Sequence, residues 1–198
     1  MKEFWNERYS EDGFAYGTNP NDFLATHVNK LKEAGKVLCL AEGEGRNALF
    51  LARKGFQVTA VDFSEVGIQK IKENAQKEGL KIEAVVADLK DFDMGEDQWD
   101  GIISIFAHLP PPLRKIVHSK IQRALRPKGI LILEAYTPKQ LNFQTGGPKD
   151  EAMLVNLNIL QEELSELTPV FETETEREIH EGKYHNGPSA VVQFIAEK

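Results

Sequence analysis

The residues best suited to bind a charged ligand form the segment Glu42-Gly43-Glu44-Gly45. Its two glycines allow a tight turn and a close approach of the backbone to a ligand. The spacing Gly43-x-Gly45-x-x-Ala48 also fits the dinucleotide fingerprint. However, Glu42 and Glu44 would repel a pyrophosphate by an energy on the order of a few kcal/mol at a partly buried site. The segment therefore favours a ligand that carries a positive centre and no phosphates.

The elements around this segment predict where a second carboxylate lies. The apolar run 37–40 predicts a strand buried on both faces, and the apolar residues between 48 and 52 predict a helix that Gly55 ends. Residues 56–61 predict a second strand, with Asp62 at its C-terminal end. Ligands bind outside the carboxyl ends of the strands in an open parallel sheet. We therefore expect the Gly-rich turn and Asp62 to face one crevice, with Asp62 at a solvent-accessible rim.

The stretch from Leu38 to Ala52 resembles the first motif of class I S-adenosylmethionine (SAM)-dependent methyltransferases. Its Glu-Gly-Arg-Asn form is most similar to the tellurite-resistance and thiopurine methyltransferase group. SAM carries a sulfonium and an ammonium group and no phosphate, as the acidic turn favours. Two positions depart from that group, which usually has Asp in place of Cys39 and Gly in place of Ala41. Glu42 is a candidate for the missing carboxylate.

The resemblance implies a set of cofactor-binding residues in the turn and at the strand tips. In the family, the position of Asp62 takes the ribose hydroxyls and that of Asp88 takes the adenine amino group; a helix N-cap is the alternative role for each. The fourth-strand tip lies near the transferred methyl, so His108 is the candidate catalytic residue, with a loop-capping or solvent-facing histidine as the alternative. The implied cofactor-binding residues are Ala41, Glu42, Gly43, Gly45, Arg46, Asn47, Asp62, Phe63, Ser64, Asp88, Leu89 and Phe106.

The remaining pattern predicts an α/β fold of the Rossmann-like type. We expect an open sheet of about seven strands with helices on both faces, mostly parallel and closed by an antiparallel C-terminal hairpin. The hairpin strands are predicted over 169–180 and 190–196, around a loop that contains the turn signal Asn186-Gly187. A single domain is expected over 1–198: N-terminal helices and lid in 1–34, the cofactor-binding core in 36–136, and a substrate-side loop, helix and hairpin in 137–198.

Aromatic residues are dense near the N-terminus, at Trp5, Tyr9, Phe14, Tyr16 and Phe23. They predict either a flap packed against the sheet or, as the family resemblance favours, a lid that excludes water from the cofactor. Residues 142–153 predict a mobile loop over the same crevice.

The C-terminal hairpin carries several polar residues that are candidates for the substrate side: Arg177, Glu178, His180, Tyr184 and His185. In a hairpin only some of them can face inward. The two histidines lack a cysteine or a further carboxylate–histidine pair at ligand spacing, so no metal site is predicted.

Composition limits the partners. The net charge of −7 argues against nucleic acid as substrate, because phosphate binding needs a basic face. No apolar run approaches the roughly 20 residues of a membrane span. One cysteine cannot form an internal disulfide and no secretory signal is visible, so we expect a cytoplasmic location. A monomer or weak dimer is expected.

These observations predict a SAM-dependent methyltransferase that transfers a methyl group to a small-molecule nucleophile at S, Se, Te, O or N. The Asn/Asp-Pro-Pro-aromatic signature of amine-directed methyltransferases is missing, since the fourth strand ends Phe-Ala-His-Leu-Pro. The alternatives are a non-catalytic SAM-binding module and, with less support, a nicotinamide-dependent oxidoreductase.

Overall fold

A seven-stranded sheet forms the centre of the computed structural model, which describes residues 2–198. All pairs among strands β1 to β5 are parallel, and β7 pairs antiparallel with both β5 and β6. The spatial order is β3-β2-β1-β4-β5-β7-β6. This confirms the predicted Rossmann-like sheet. The strands are β1 (Lys36–Leu40), β2 (Gln57–Asp62), β3 (Ile82–Val86), β4 (Trp99–Ile105), β5 (Leu125–Tyr136), β6 (Thr168–Glu181) and β7 (His185–Glu197).

Helices cover both faces of the sheet because successive residues of a buried strand point to opposite sides. In β1, Leu38 and Leu40 pack in one apolar cluster with the fifth and sixth helices. Val37 and Cys39 pack in the other cluster with the second, third and fourth helices. The helices are α1 (Lys2–Tyr9), α2 (Asp22–His27), α3 (Arg46–Arg53), α4 (Glu65–Lys77), α5 (Pro111–Ala124) and α6 (Leu157–Glu163), with 3₁₀ turns at Val28–Lys30, Pro138–Asn142 and Glu151–Met153.

The hairpin turn between β6 and β7 differs from the sequence expectation. The strands are joined by three residues, 182–184, and Asn186 and Gly187 lie within β7. Gly182 takes the left-handed conformation that the turn needs, with φ of +69°, and a Cβ there would lie 2.5 Å from the carbonyl oxygen of Ala15. The N-terminal segment therefore packs directly on the turn, and Glu181 becomes the cross-strand partner of His185.

Strand β6 forms one edge of the sheet, since it pairs with β7 alone. Its exposed residues include glutamates at every second position: Glu172, Glu174, Glu176 and Glu178. Among the residues that the structure describes, no helix has the length and apolar character needed to cross a membrane.

Candidate active site

A cavity of about 680 Å³ opens at the carboxyl ends of β1, β2 and β4. One wall is the Gly-rich turn, the opposite wall includes Phe106 and His108, and the loop 144–149 contributes a third side. Most of the sequence-predicted site residues line it, namely Ala41, Glu42, Gly43, Gly45, Arg46, Asn47, Asp62, Phe63, Phe106 and His108. The dimensions fall within those of small-molecule sites, about 300–1,000 Å³.

The chain bends sharply where β1 and β4 reach this cavity. Ala41 and Phe106, each next to the end of its strand, have φ of +48° and +53°, a region that residues other than glycine rarely adopt. Such strain concentrates at functional sites. The two adjacent strand tips are thus shaped for the cavity rather than for regular sheet geometry.

The two glycines of the turn serve packing as well as ligand access. A Cβ on Gly43 would lie 2.7 Å from the hydroxyl of Tyr9, and a Cβ on Gly45 would lie 2.5 Å from Cγ1 of Ile71. Both residues have positive φ. The turn therefore packs closely against both α1 and α4. The spacing of the glycines alone did not predict this packing.

Asp62 lies deeper than the expected rim and is only 4% exposed. One carboxylate oxygen accepts from the backbone N–H of Gly43 at 2.9 Å, and the other accepts from that of Ser64 at 2.8 Å. Burial raises the pKa of Asp62, while these backbone donors act in the opposite direction. The expectation of a solvent-accessible rim was wrong, because Asp62 joins the turn to the start of α4. It still lines the cavity.

The two glutamates of the turn have different environments. Glu44 accepts from the backbone N–H of Ala15 and forms an ion pair with Lys70, each at 2.7 Å, so its charge is largely compensated. Glu42 accepts from the N–H of Ala48 at 2.7 Å but has no ion-pair partner within the described residues. Burial raises the pKa of Glu42 to about 7. Glu42 and Asp62 are therefore the carboxylates that give this wall its negative character.

Arg46 and Asn47 belong to a buried polar network behind the turn. Arg46 donates to Glu181 at 2.6 Å, and Asn47 accepts from the backbone N–H of Asn21 at 2.9 Å. The side chain of Asn21, fully buried, donates to both Glu181 and Glu134. The network ties the turn, the N-terminal segment and the C-terminal strands into one unit.

Three predicted cofactor residues lie outside the cavity wall. Ser64 caps α4, accepting from the N–H of Gly67. Asp88 is exposed, and its carboxylate accepts from the N–H of Lys90, while Leu89 packs in the apolar core. The adenine contact of Asp88 stays a prediction.

Aromatic residues of the N-terminal segment cover the cavity. Trp5, Tyr9 and Tyr16 line it, with Trp5 and Tyr9 stacked at a centroid distance of 5.5 Å. Phe23 instead packs in the core beside α3 and α4, and Phe14 lies under the amine of Lys70. The cover thus uses three of the five predicted aromatics, and its opening as a lid stays a prediction.

His108 has both ring nitrogens engaged by the backbone. Nδ1 lies 3.1 Å from the carbonyl oxygen of Met153, and Nε2 lies 3.3 Å from the backbone nitrogen of Tyr136. Because a carbonyl can only accept and an N–H can only donate, the proton of the neutral ring sits on Nδ1. Burial lowers the pKa of His108 to about 4. Its predicted catalytic role stays a prediction, but with Nε2 accepting from Tyr136 the neutral ring has no free lone pair to act as a base.

The structure brings a second histidine into the cavity together with a carboxylate that sequence reasoning missed. His185 lines the cavity, and its Nδ1 lies 3.5 Å from an oxygen of the buried Glu181. His180, by contrast, is exposed and bonds to Asn186. The apolar residue Ile179 could have predicted the inward orientation of Glu181. Side chains two positions apart on a strand point to the same face of the sheet.

Comparison with known proteins identifies the core of the chain. Residues 37–129, from β1 to the start of β5, match the family model described as a methyltransferase domain. The probable S-adenosyl-L-methionine-dependent methyltransferase TehB of Haemophilus influenzae is 38% identical over 96 residues, which are 48% of this chain and 33% of TehB. The matched core and this relative support a class I SAM-dependent methyltransferase domain in the chain, as the first motif predicted.

Solved structures share the fold of this chain. A crystal structure of TehB from Haemophilus influenzae aligns with a TM-score of 0.73 and 20% identity, covering 100% of this chain and 66% of TehB. The 1,6-didemethyltoxoflavin-N1-methyltransferase of Burkholderia thailandensis, solved with S-adenosylhomocysteine, aligns with a TM-score of 0.65 and 22% identity over 88% of this chain and 74% of that one.

Other relatives of the chain are named as RNA methyltransferases. The tRNA (uracil(54)-C(5))-methyltransferase of Pyrococcus furiosus is 26% identical over 142 residues, covering 65% of this chain and 33% of that protein. The chain spans between 21% and 44% of the length of the curated relatives it matches.

The residues of the cavity fit SAM, the cofactor of this family. Glu42 provides a carboxylate without a cationic partner among residues 2–198, at the wall where a ligand ammonium or sulfonium would compensate its charge. Asp62 adds a second negative charge, and the aromatic cover supplies apolar surface for an adenosine. The turn thus meets the chemical demands of a cationic nucleoside ligand, as the sequence predicted.

Proposed function

We propose that the chain transfers the methyl group of SAM to a small-molecule nucleophile at S, Se, Te, O or N. The observation that supports this most directly is the cavity of about 680 Å³, which joins the acidic turn to Phe106, His108 and His185 under an aromatic cover. A cavity of this size accommodates a cofactor and a small acceptor side by side.

The protein's part in the reaction is to bind, orient and exclude water. SAM, when bound, supplies an activated methyl group with its own leaving group. Glu42 holds the cationic end and Asp62 the ribose hydroxyls, while Trp5, Tyr9 and Tyr16 shield the reacting atoms from solvent. Holding the acceptor in line with the methyl group removes much of the entropic barrier. For an acceptor that is already an anion, no protein base is required.

SAM or S-adenosylhomocysteine is expected to raise the melting temperature, and NAD is not. At a ligand concentration of about 100 times the dissociation constant, linkage adds about 2.7 kcal/mol to the free energy of unfolding. For a chain of this size that corresponds to a rise of roughly 5 to 10 °C. Thermal denaturation and isothermal titration measure it.

A rise with NAD and none with either SAM form would contradict the cofactor assignment. Binding of SAM without turnover on a panel of thiols, selenite and tellurite would favour the alternative of a non-catalytic SAM-binding module.

Nucleic acid is not the substrate in this proposal, although some relatives act on tRNA. The net charge is −7, and Lys183 at the cavity mouth is paired with Glu11 at 2.7 Å. We expect negligible binding of a transfer RNA at about 150 mM salt, because phosphate contacts need uncompensated cations. Fluorescence anisotropy at several salt concentrations measures it. Micromolar or tighter binding that weakens with salt would mean that RNA is a partner.

A further inference from the structure

We propose that His185 is the general base that removes a proton from the methyl acceptor, and that Glu181 is the residue that positions it. This rests on the proposed methyl transfer and extends it to the chemical class of the acceptor. The acceptor would carry an ionisable S–H, O–H or N–H group rather than arrive as a stable anion. The inference follows from the cross-strand pair Glu181–His185 at the end of the C-terminal hairpin.

Glu181 is held by two hydrogen bonds and is only 6% exposed. Its Oε1 accepts from Nδ2 of Asn21 at 3.0 Å, and its Oε2 accepts from Arg46 at 2.6 Å. That second oxygen also faces Nδ1 of His185 at 3.5 Å. Burial acts to raise the pKa of Glu181, but His185 and Arg46 hold that pKa at about 2. A permanent negative charge therefore lies beside one nitrogen of the imidazole.

Nδ1 of His185 is buried 3.5 Å from Glu181 and makes no hydrogen bond, so the opposite nitrogen is the one left for the cavity. The ring is 8% exposed and lies among aromatic rings, with centroid distances of 4.5 Å to Tyr16 and 4.8 Å to Phe106. A Cβ on Gly146 would lie 2.8 Å from Cδ2 of His185, the carbon next to Nε2. The loop thus has no side chain where it passes this edge of the ring.

The imidazole is neutral near pH 7, as a base must be. Burial lowers the pKa of His185, and the charges of Arg46 and Arg8 lower it further, while Glu181 raises it. The neutral rings of Tyr16, Tyr136 and His108 complete its surroundings. His108 offers no comparable free nitrogen, since backbone groups occupy both of its positions.

The step balances in atoms and charge. The acceptor's X–H proton passes to Nε2 of His185 as X bonds to the methyl carbon, and the carbon–sulfur bond breaks with its electron pair going to sulfur. The products are X–CH₃, S-adenosylhomocysteine and an imidazolium that the Glu181 carboxylate stabilises. The proton then leaves to solvent and restores the neutral ring.

A pair of thiols tests the assignment. At about pH 7.5, 4-nitrothiophenol is ionised, whereas 2-mercaptoethanol is mostly protonated, as a free cysteine with a pKa of about 8.5 would be. In His185→Gln, kcat for 2-mercaptoethanol is expected to fall roughly 10²- to 10⁴-fold, the usual contribution of a general base. Turnover of 4-nitrothiophenol is expected to stay within about threefold of the parent. His180→Gln, on the exposed side of the same hairpin, is the matched control and is expected to leave both rates unchanged.

Equal losses on the two thiols would mean that His185 only shapes the cavity, and no loss on either would also overturn the assignment. A parent protein that fails to bind SAM would refute the proposed function itself, which isothermal titration shows separately.

A second readout needs no acceptor. Nitrogen NMR at neutral pH is expected to show His185 neutral, with its proton on Nδ1, and Glu181→Gln is expected to lower its pKa because the neighbouring anion is lost. A proton on Nε2 or an imidazolium at pH 7 would overturn the assignment whichever nucleophile the protein accepts.

Discussion

Asp62→Ala is expected to weaken SAM binding roughly 10- to 150-fold. In the family this position takes the ribose hydroxyls, and hydrogen bonds to a charged group contribute about 1.5–3 kcal/mol, where each 1.4 kcal/mol is tenfold. The structure adds a second effect, because the same carboxylate accepts from Gly43 and Ser64. Isothermal titration measures the first effect and thermal denaturation the second.

The loss of stability follows from the two backbone donors left buried. Each unpaired donor costs about 1–3 kcal/mol, so the free energy of unfolding is expected to fall by about 2–6 kcal/mol and the melting temperature by roughly 4 to 24 °C. Asp62→Asn keeps one acceptor oxygen and is expected to lose less of both.

Asp93→Ala is the matched control for Asp62. This exposed aspartate accepts from the N–H of Gly95 in a turn remote from the cavity, so it is expected to leave SAM affinity unchanged. Parent-like affinity in Asp62→Ala would show that the ribose assignment is wrong. An unchanged melting temperature would show that the hydrogen bonds to the turn contribute little.

SAM affinity is expected to rise with pH between about 5 and 7 by up to about 100-fold. Glu42 has a pKa of about 7 in the free protein and is largely protonated below that value. A cation beside it favours the ionised form, so binding releases a proton, and affinity changes by up to tenfold per pH unit, or about 1.36 kcal/mol. Titration in buffers of different ionisation enthalpy detects the released proton.

Glu42→Gln is expected to flatten this pH dependence while keeping an acceptor for the N–H of Ala48. Without ligand, the folding stability is expected to change with pH in the opposite direction to the SAM affinity. The folded pKa lies above the ordinary value of 4.5, so the stability contributed by Glu42 is full below 4.5 and is lost as pH rises through about 7. If the SAM affinity of the parent protein does not change with pH over this range, the cation of the ligand does not lie beside Glu42.

The sequence predicted the strand-turn-helix core because short apolar runs, glycines and an acid at a strand end are local signals. The seven-stranded sheet and most of the cavity-lining residues were predicted for the same reason. The hairpin turn was misplaced because Asn186-Gly187 is a strong local signal. The turn instead begins at Gly182, which packs on Ala15, and that contact between residues remote in sequence cannot be read from the local pattern.

That misplaced turn explains why Glu181 was missed. With the turn at 182–184, Glu181 and His185 face each other across the hairpin and both are buried, whereas His180 and Asn186 form the exposed pair. A shift of turn position changes which side chains face inward, since strand side chains alternate. Likewise, the ion pair of Glu44 with Lys70 joins the Gly-rich turn to α4 and has no local signature in the sequence.

The glutamates on β6 bear on how copies of the protein behave at high concentration. An exposed edge strand presents unpaired backbone groups that can pair with the edge of another molecule. The carboxylates of Glu172, Glu174, Glu176 and Glu178 recur about 7 Å apart along this edge. Two such edges brought side by side would place like charges opposite one another, which is destabilising. The row therefore acts as a charge barrier to sheet extension between copies of the protein.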